Sequence, residues 1–272
     1  VKRLNFRNLS AAVILLFSAF TLTSVFICPA SAGCIPCYCH TAWAFYACLI
    51  LIYVSISLTM AFFPSSGFHY PLVYSGGSRK GKAVALSFDD GPDPVLSPGI
   101  LDVLKKYKVP AGFFLIGKKI SGNKALVKRI HEEGHIIGNH SFSHTNLWDF
   151  MSSAKMSADI ENTVAAIRDV TGKSARYFRP PYGVINPMVN RAVKKTGMFI
   201  VTWRFRSFDT TASSSEVLLE KAIRKVKPGD ILLFHDSCML TAEILEKLIV
   251  SLQERGLEFV PLDQLINLPA YE

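Results

Sequence analysis

Residues 80–272 predict an α/β fold, a parallel sheet with helices outside, preceded by membrane helices. Three observations carry this. Short apolar runs alternate with helix-length stretches of 3.6-residue periodicity, the signature of repeated β–α units. The most polar residues gather where the apolar runs end, as they do in parallel α/β folds and barrels, whose sites form at strand carboxyl ends. Charge is also partitioned: from Asn8 to Ser78 there is no Asp, Glu, Lys or Arg, whereas all 21 acids lie beyond. From residue 79 onward about a quarter of residues are charged, an ordinary globular density. The mean hydropathy of +0.28 therefore averages two different materials.

The chain opens on Lys2, Arg3 and Arg7, three of its nine net positive charges. Residues 9–29 and 42–63 are candidate spans of bilayer length, the second flanked by Trp43, Phe45 and Tyr46. Together, residues 1–63 read as a membrane segment. Between the spans, Cys34, Cys37, Cys39 and His40 form a cluster whose spacing fits no standard zinc finger. Ala30-Ser31-Ala32 weakly resembles a signal-peptidase site. Two uncleaved spans, with the cations inside, return the following domain to the cytoplasm; one span exports it. Residues 64–79, rich in Gly, Pro and Ser, read as a linker.

Strand-like runs then fall at 83–88, 112–116, 135–139, 198–203, 230–234 and 257–260. Helix-like stretches fall at 97–107, 123–133, 152–171, 187–196, 214–226 and 239–255. In 152–171, Met156, Ile160, Val164 and Ile167 recur at helical spacing. Ser97-Pro98 and Asn186-Pro187 each place a capping residue before a first-turn proline. The domain's net positive charge has no recognition motif beside it, so no nucleic-acid partner is expected.

Three strand ends carry the chemistry: Asp89-Asp90-Gly91-Pro92, His140 through His144, and His235-Asp236. Each alone has a plainer reading. The Asp pair suits a turn, the histidines suit core or surface positions, Arg179-Pro180-Pro181-Tyr182-Gly183 suits a rigid loop, and Asp209 suits an exposed loop. Taken together, Asp90, His140 and His144 make a two-His, one-carboxylate set that leaves positions open on a divalent metal. Asp89 is then available as a base, and Arg179 could hold it ionised through a bidentate pair. His235 could protonate a leaving group, with Asp209 favouring its imidazolium form. Cys238, and the pair His131 and His135, read as structural residues.

Ser87-Phe88-Asp89-Asp90-Gly91-Pro92, His140-Ser141-Phe142-Ser143-His144, Arg179-Pro180-Pro181-Tyr182-Gly183 and Leu233-Phe234-His235 resemble, in order, motifs of the NodB-homology polysaccharide deacetylases, carbohydrate esterase family four. The resemblance spans about residues 80–265. It implies a distorted (β/α) barrel with fewer than eight strands, and the 80–272 region as its catalytic domain. It implies Asp89 as base, Arg179 as its partner, and Asp90, His140 and His144 as ligands of one divalent ion, usually zinc. It implies Tyr182 as an oxyanion donor through its backbone N–H, Leu233 lining the acetyl pocket, Pro180 among the substrate-contacting residues, and His235 as general acid. The fourth motif departs: Thr210 follows Asp209 where the family often has Trp. The implied function is removal of N-acetyl groups from N-acetylglucosamine units, with peptidoglycan leading. Deacylation of a lipid-linked sugar and glycan O-ester cleavage are the alternatives, and a silent glycan-binding module is the non-enzymatic one. The expected partners are an acetylated glycan and the bilayer, the latter through the N-terminal helices. The expected location is the membrane, with the domain outside the cytoplasm.

Overall fold

The computed structural model describes residues 5–27, 35–61, 68, 72–76 and 81–272, without the side chains of residues 7 and 22–41. Lys2, Arg3, Ala30-Ser31-Ala32, Cys34, His69, Arg79 and Lys80, and the side chains of Arg7, Cys37, Cys39 and His40, lie outside the described residues.

Two apolar helices come first, α1 (Phe6–Ile27) and α2 (Ile35–Ala61). They run antiparallel: Phe20 stacks on Phe45 and Phe17 on Tyr46, and Ser10 Oγ lies 3.1 Å from Tyr53 Oη. Aromatic stacking and hydroxyl pairs join the two helices, the kind of contact on which helix association in lipid relies. Ala42–Ala61 is one 20-residue stretch long and apolar enough to cross a membrane. The described apolar stretch of α1, Asn8–Thr21, is shorter than a span. Phe6 N donates to Phe68 O at 2.9 Å, so the hairpin's two ends lie side by side.

The domain's strands are β1 (Ala83–Asp89), β2 (Ala111–Leu115), β3 (Ile136–Asn139), β4 (Tyr177–Phe178), β5 (Phe199–Ile200), β6 (Phe205–Arg206), β7 (Ile231–His235) and β8 (Glu258–Phe259). Seven form one continuous parallel row, β5-β4-β3-β2-β1-β7-β6, while β8 pairs only with the start of β1. This is the curled, incomplete barrel expected. The helices are α3 (Ser97–Tyr107), the short α4 (Gly117–Ile120), α5 (Lys124–Glu132), α6 (Ser153–Thr171), α7 (Pro187–Thr196), α8 (Ser215–Lys225), α9 (Met239–Glu254) and α10 (Leu262–Ile266).

Strand alternation divides the core. Leu86, Phe88, Leu232 and Phe234 pack outward with Leu101, Leu104, Leu245 and Leu248 of the helices. Ala83, Ala85 and Ile231 pack inward with Phe114, Tyr177, Leu262 and Leu265. Inward residues at the strand ends are polar, and this places the site. Asn186 caps α7 as expected, its side chain accepting from Met188 N and Val189 N. Ser97 does not cap α3: its hydroxyl donates to Asp236 Oδ2 at 2.5 Å and accepts from Asp93 N. Leu96 takes the cap position instead, and Ser97, the first residue of the helix, is buried against the Asp236 carboxyl group. Residues 72–76 are not free linker, because Val73 bridges Val201 and Ser75 bridges Asp230.

Candidate active site

The register sets Asp89 beside His235 across β1 and β7. Phe88 turns outward, so Asp89 points into the barrel, where Arg179 Nη1 donates to its Oδ1 at 2.6 Å. Both side chains are buried. The pair is not bidentate. The other guanidinium donors go to Val201 O, Thr202 O and Ser87 Oγ, with the plane 3.8 Å over the Phe114 ring. These acceptors exist because the chain after β5 leaves the sheet and turns its carbonyls inward.

Asp90 follows β1 directly at a positive φ of 73°, which swings its carboxylate away from that of Asp89. Such backbone is costly for a non-glycine residue and persists only where the surroundings impose it. Gly91 follows, and any Cβ there would sit 2.3 Å from Asp236 Oδ2. Asp90 Oδ1 lies 3.5 Å from His140 Nε2 and 3.3 Å from His144 Nε2. Ligand atoms of all three residues fall within 4.8 Å of one another. His140 Nδ1 is 2.7 Å from Arg179 O, which can only accept, so Nδ1 carries a proton and Nε2 is the nitrogen left to face Asp90.

Burial disfavours the Asp90 charge, but the hydrogen bond and charge of His140, with His235 and His144, hold it well below the usual carboxylate range. Burial and the neighbouring His140 push His144 down to about 4, leaving a neutral imidazole. Burial works downward on His140, yet the charge of Asp89 and the bond and charge of Asp90 raise it. This pocket is arranged to hold positive charge, and its two imidazoles and one carboxylate are a donor set that fits a divalent metal.

Opposite stands the second dyad. His235 Nδ1 is 2.7 Å from Asp209 Oδ1, and its Nε2 is 4.0 Å from Asp90 Oδ2. Asp209 is not an exposed loop acid: it is buried and also accepts from Ser207 Oγ, Thr241 Oγ1 and His235 N. Burial favours neutral His235, but the hydrogen bond and charge of Asp209, with Asp89 and Asp90 behind it, raise its pKa to about 8.

Tyr182 sits at φ 58° in the turn after Pro180, half-exposed, its ring against His144 and its hydroxyl 3.0 Å from Asn146 Oδ1. Leu233 is buried on β7, two residues before His235. Cys238 is a half-buried free thiol at the start of α9. His135 is buried, its Nδ1 accepting from Ala111 N, away from the site.

Sequence reasoning misses Asp159. From α6 its carboxylate accepts from Phe142 N, Ser143 N and Trp148 Nε1, bracing the loop that carries both histidines. The one signal was an acid beside the apolar stripe residue Ile160. Also missed is Asn139, whose side chain fixes Ser141 N.

The pattern of the family described as polysaccharide deacetylase matches residues 76–201. The peptidoglycan-N-acetylglucosamine deacetylase of Listeria monocytogenes is 36% identical over 69% of this chain, and the match spans 40% of that relative's length. A peptidoglycan-N-acetylglucosamine deacetylase of Bacillus cereus is 34% identical, over 68% of this chain and 89% of its own. The crystal structure of a peptidoglycan N-acetylglucosamine deacetylase superposes with a TM-score of 0.69 at 32% identity, covering 74% of this chain and 95% of that one. The motif order, the incomplete barrel and the Bacillus cereus relative, matched over 89% of its own length, agree: the chain belongs to the polysaccharide deacetylases, carbohydrate esterase family four, with a NodB-homology domain.

Proposed function

We propose that the protein is a metal-dependent hydrolase removing N-acetyl groups from the N-acetylglucosamine units of peptidoglycan. One observation carries the reading. Two dyads, Asp89 with Arg179 and His235 with Asp209, flank one triad of ligands, with Asp89 Oδ2 3.9 Å from His140 Nε2. A divalent ion held by Asp90, His140 and His144, zinc by this donor set, supplies a Lewis acid that polarises the acetyl carbonyl and acidifies water. Asp89 takes the proton of the attacking water, and Arg179 fixes its orientation. The Tyr182 N–H donates to the developing oxyanion, while Leu233 and Pro180 bound the acetyl group. His235 Nε2 protonates the departing amine as Asp209 steadies its Nδ1–H, releasing acetate. In this reading residues 80–272 are the catalytic domain and residues 1–63 the membrane segment, and the linker of 64–79 has its 72–76 stretch packed on the domain, with the domain outside the cytoplasm.

The test is acetate release with metal analysis. Asp89→Asn is expected to keep the metal and lose about 10²–10⁴-fold in turnover. Asp90→Asn and His140→Ala should lose the metal as well. Full turnover by Asp89→Asn overturns the mechanism.

A second reading, a lipid-linked sugar as substrate, is favoured by the helical hairpin, whose ends meet at Phe6 and Phe68. If both helices span, the domain returns to the side of the N-terminal cations. Exposed Leu147 and Phe150 also stand on the loop beyond His144. Protease digestion of intact cells separates the readings: cleavage from outside supports the wall substrate, protection the lipid-linked one.

A further inference from the structure

Edge strand β6 and helix α8 enclose a groove of about 570 Å³. Six cations line it: Arg204, Arg206, Lys221, Arg224, Lys225 and Lys227. Its one acid, Asp230, is buried and paired with Arg204 at 3.2 Å. Burial and the neighbouring Lys225 and Arg206 hold the Lys221 ammonium below its ordinary pKa, against the opposing charge of Asp209.

These cations are not all loose surface groups. Arg206 lies over the rings of Phe208 at 4.8 Å and Trp203 at 5.5 Å. Lys221 Nζ donates to Ser207 O at 2.5 Å and stands over the same Phe208 ring at 4.3 Å. The groove also leads to the site: Phe208 directly precedes Asp209, which holds His235, and Ser207 Oγ donates to the same carboxylate.

We propose that this groove binds an anionic stretch of the glycan, one bearing carboxylates or phosphates, running from the cleaved acetamide along β6. The proposal rests on the deacetylase reading and adds the charge of its substrate. A concave groove with fixed cations and an exposed aromatic face suits a sugar chain carrying anions. A flat bilayer surface is instead met by protruding, mobile lysines.

The test compares the full-length protein in neutral-detergent micelles with a triple variant, Arg224→Glu, Lys225→Glu and Lys227→Glu. Affinities are measured for soluble peptidoglycan fragments with free peptide carboxylates and for the neutral N-acetylglucosamine pentamer. The variant should bind the carboxylated fragments about tenfold more weakly and lose most of their salt dependence. Its Kd for the pentamer should stay within about twofold, which also reports an intact fold. Equal weakening for both ligands, or no weakening for either, overturns the proposal. So does a difference that emerges only when phosphatidylglycerol is added to the micelles, since the occupant is then the bilayer. Acetate release from the pentamer by the unaltered protein is read separately. Its failure counts against the deacetylase reading, while the Kd comparison still decides the groove.

Discussion

Arg179 has all three guanidinium nitrogens committed, to Asp89, Ser87, Val201 and Thr202. Lysine keeps the charge but not the planar fork. Arg179→Lys is therefore expected to lower stability by about 2 kcal/mol or more through unpaired buried acceptors, and to misorient the base. Thermal unfolding and acetate release measure the two effects. His235 supplies a pH prediction. With its pKa near 8, the imidazolium of the proposed acid persists to about pH 8, and turnover should fall above it. Asp209→Asn removes the partner that raises it, so the alkaline limb should move down by roughly one pH unit or more. An unmoved limb rejects His235 as the acid. For stability the sign is the same. A histidine raised above its unfolded value contributes fully below about pH 6.5 and loses that contribution as pH rises through about 8. Asp236 has the opposite chemistry: burial pushes its carboxyl up to about 7, with the Ser97 bond only partly opposing. The fold binds this proton more tightly than the unfolded chain, so stability declines as pH rises from about 4 to 7. Asp236→Asn should flatten that decline in denaturation midpoints.

At the scale of elements, legibility followed length and burial. Strands β1, β2, β3 and β7 were readable because each is a continuous apolar run buried on both faces. Strands β4 and β6 are two residues each and leave no pattern to read. The run at 198–203 yields only Phe199–Ile200, since the Val201 and Thr202 carbonyls serve Arg179 instead of a neighbouring strand. The motif residues stood out in the sequence and the groups that brace them did not, because Asp159 reads as a polar position of an amphipathic helix and its contacts with the histidine loop 16 and 17 residues earlier leave no pattern. Asp159→Ala removes three hydrogen bonds from that loop. It should weaken metal affinity about 10–100-fold while leaving the helical content intact. Competition with a chelator and circular dichroism check both.

For the whole molecule, charge partition separates an uncharged apolar stretch from a charged domain, but does not show where the fold begins. Val73 N donates to Ile200 O, Thr202 N to Val73 O, and Gly76 N to Gly229 O. A fragment starting at residue 72 should thus be more stable than one starting at 80 by roughly 2–4 kcal/mol, read from urea midpoints.

Ala61 O, at the end of α2, accepts from Ile185 N, two residues beyond the Pro181–Gly183 turn. If α2 spans, that bond fixes the height of the catalytic cleft above the lipid. The enzyme's search is then two-dimensional, sweeping a single stratum of glycan. Material beyond that stratum must be drawn down to it or go unmodified, so the degree of deacetylation would be graded with distance from the membrane.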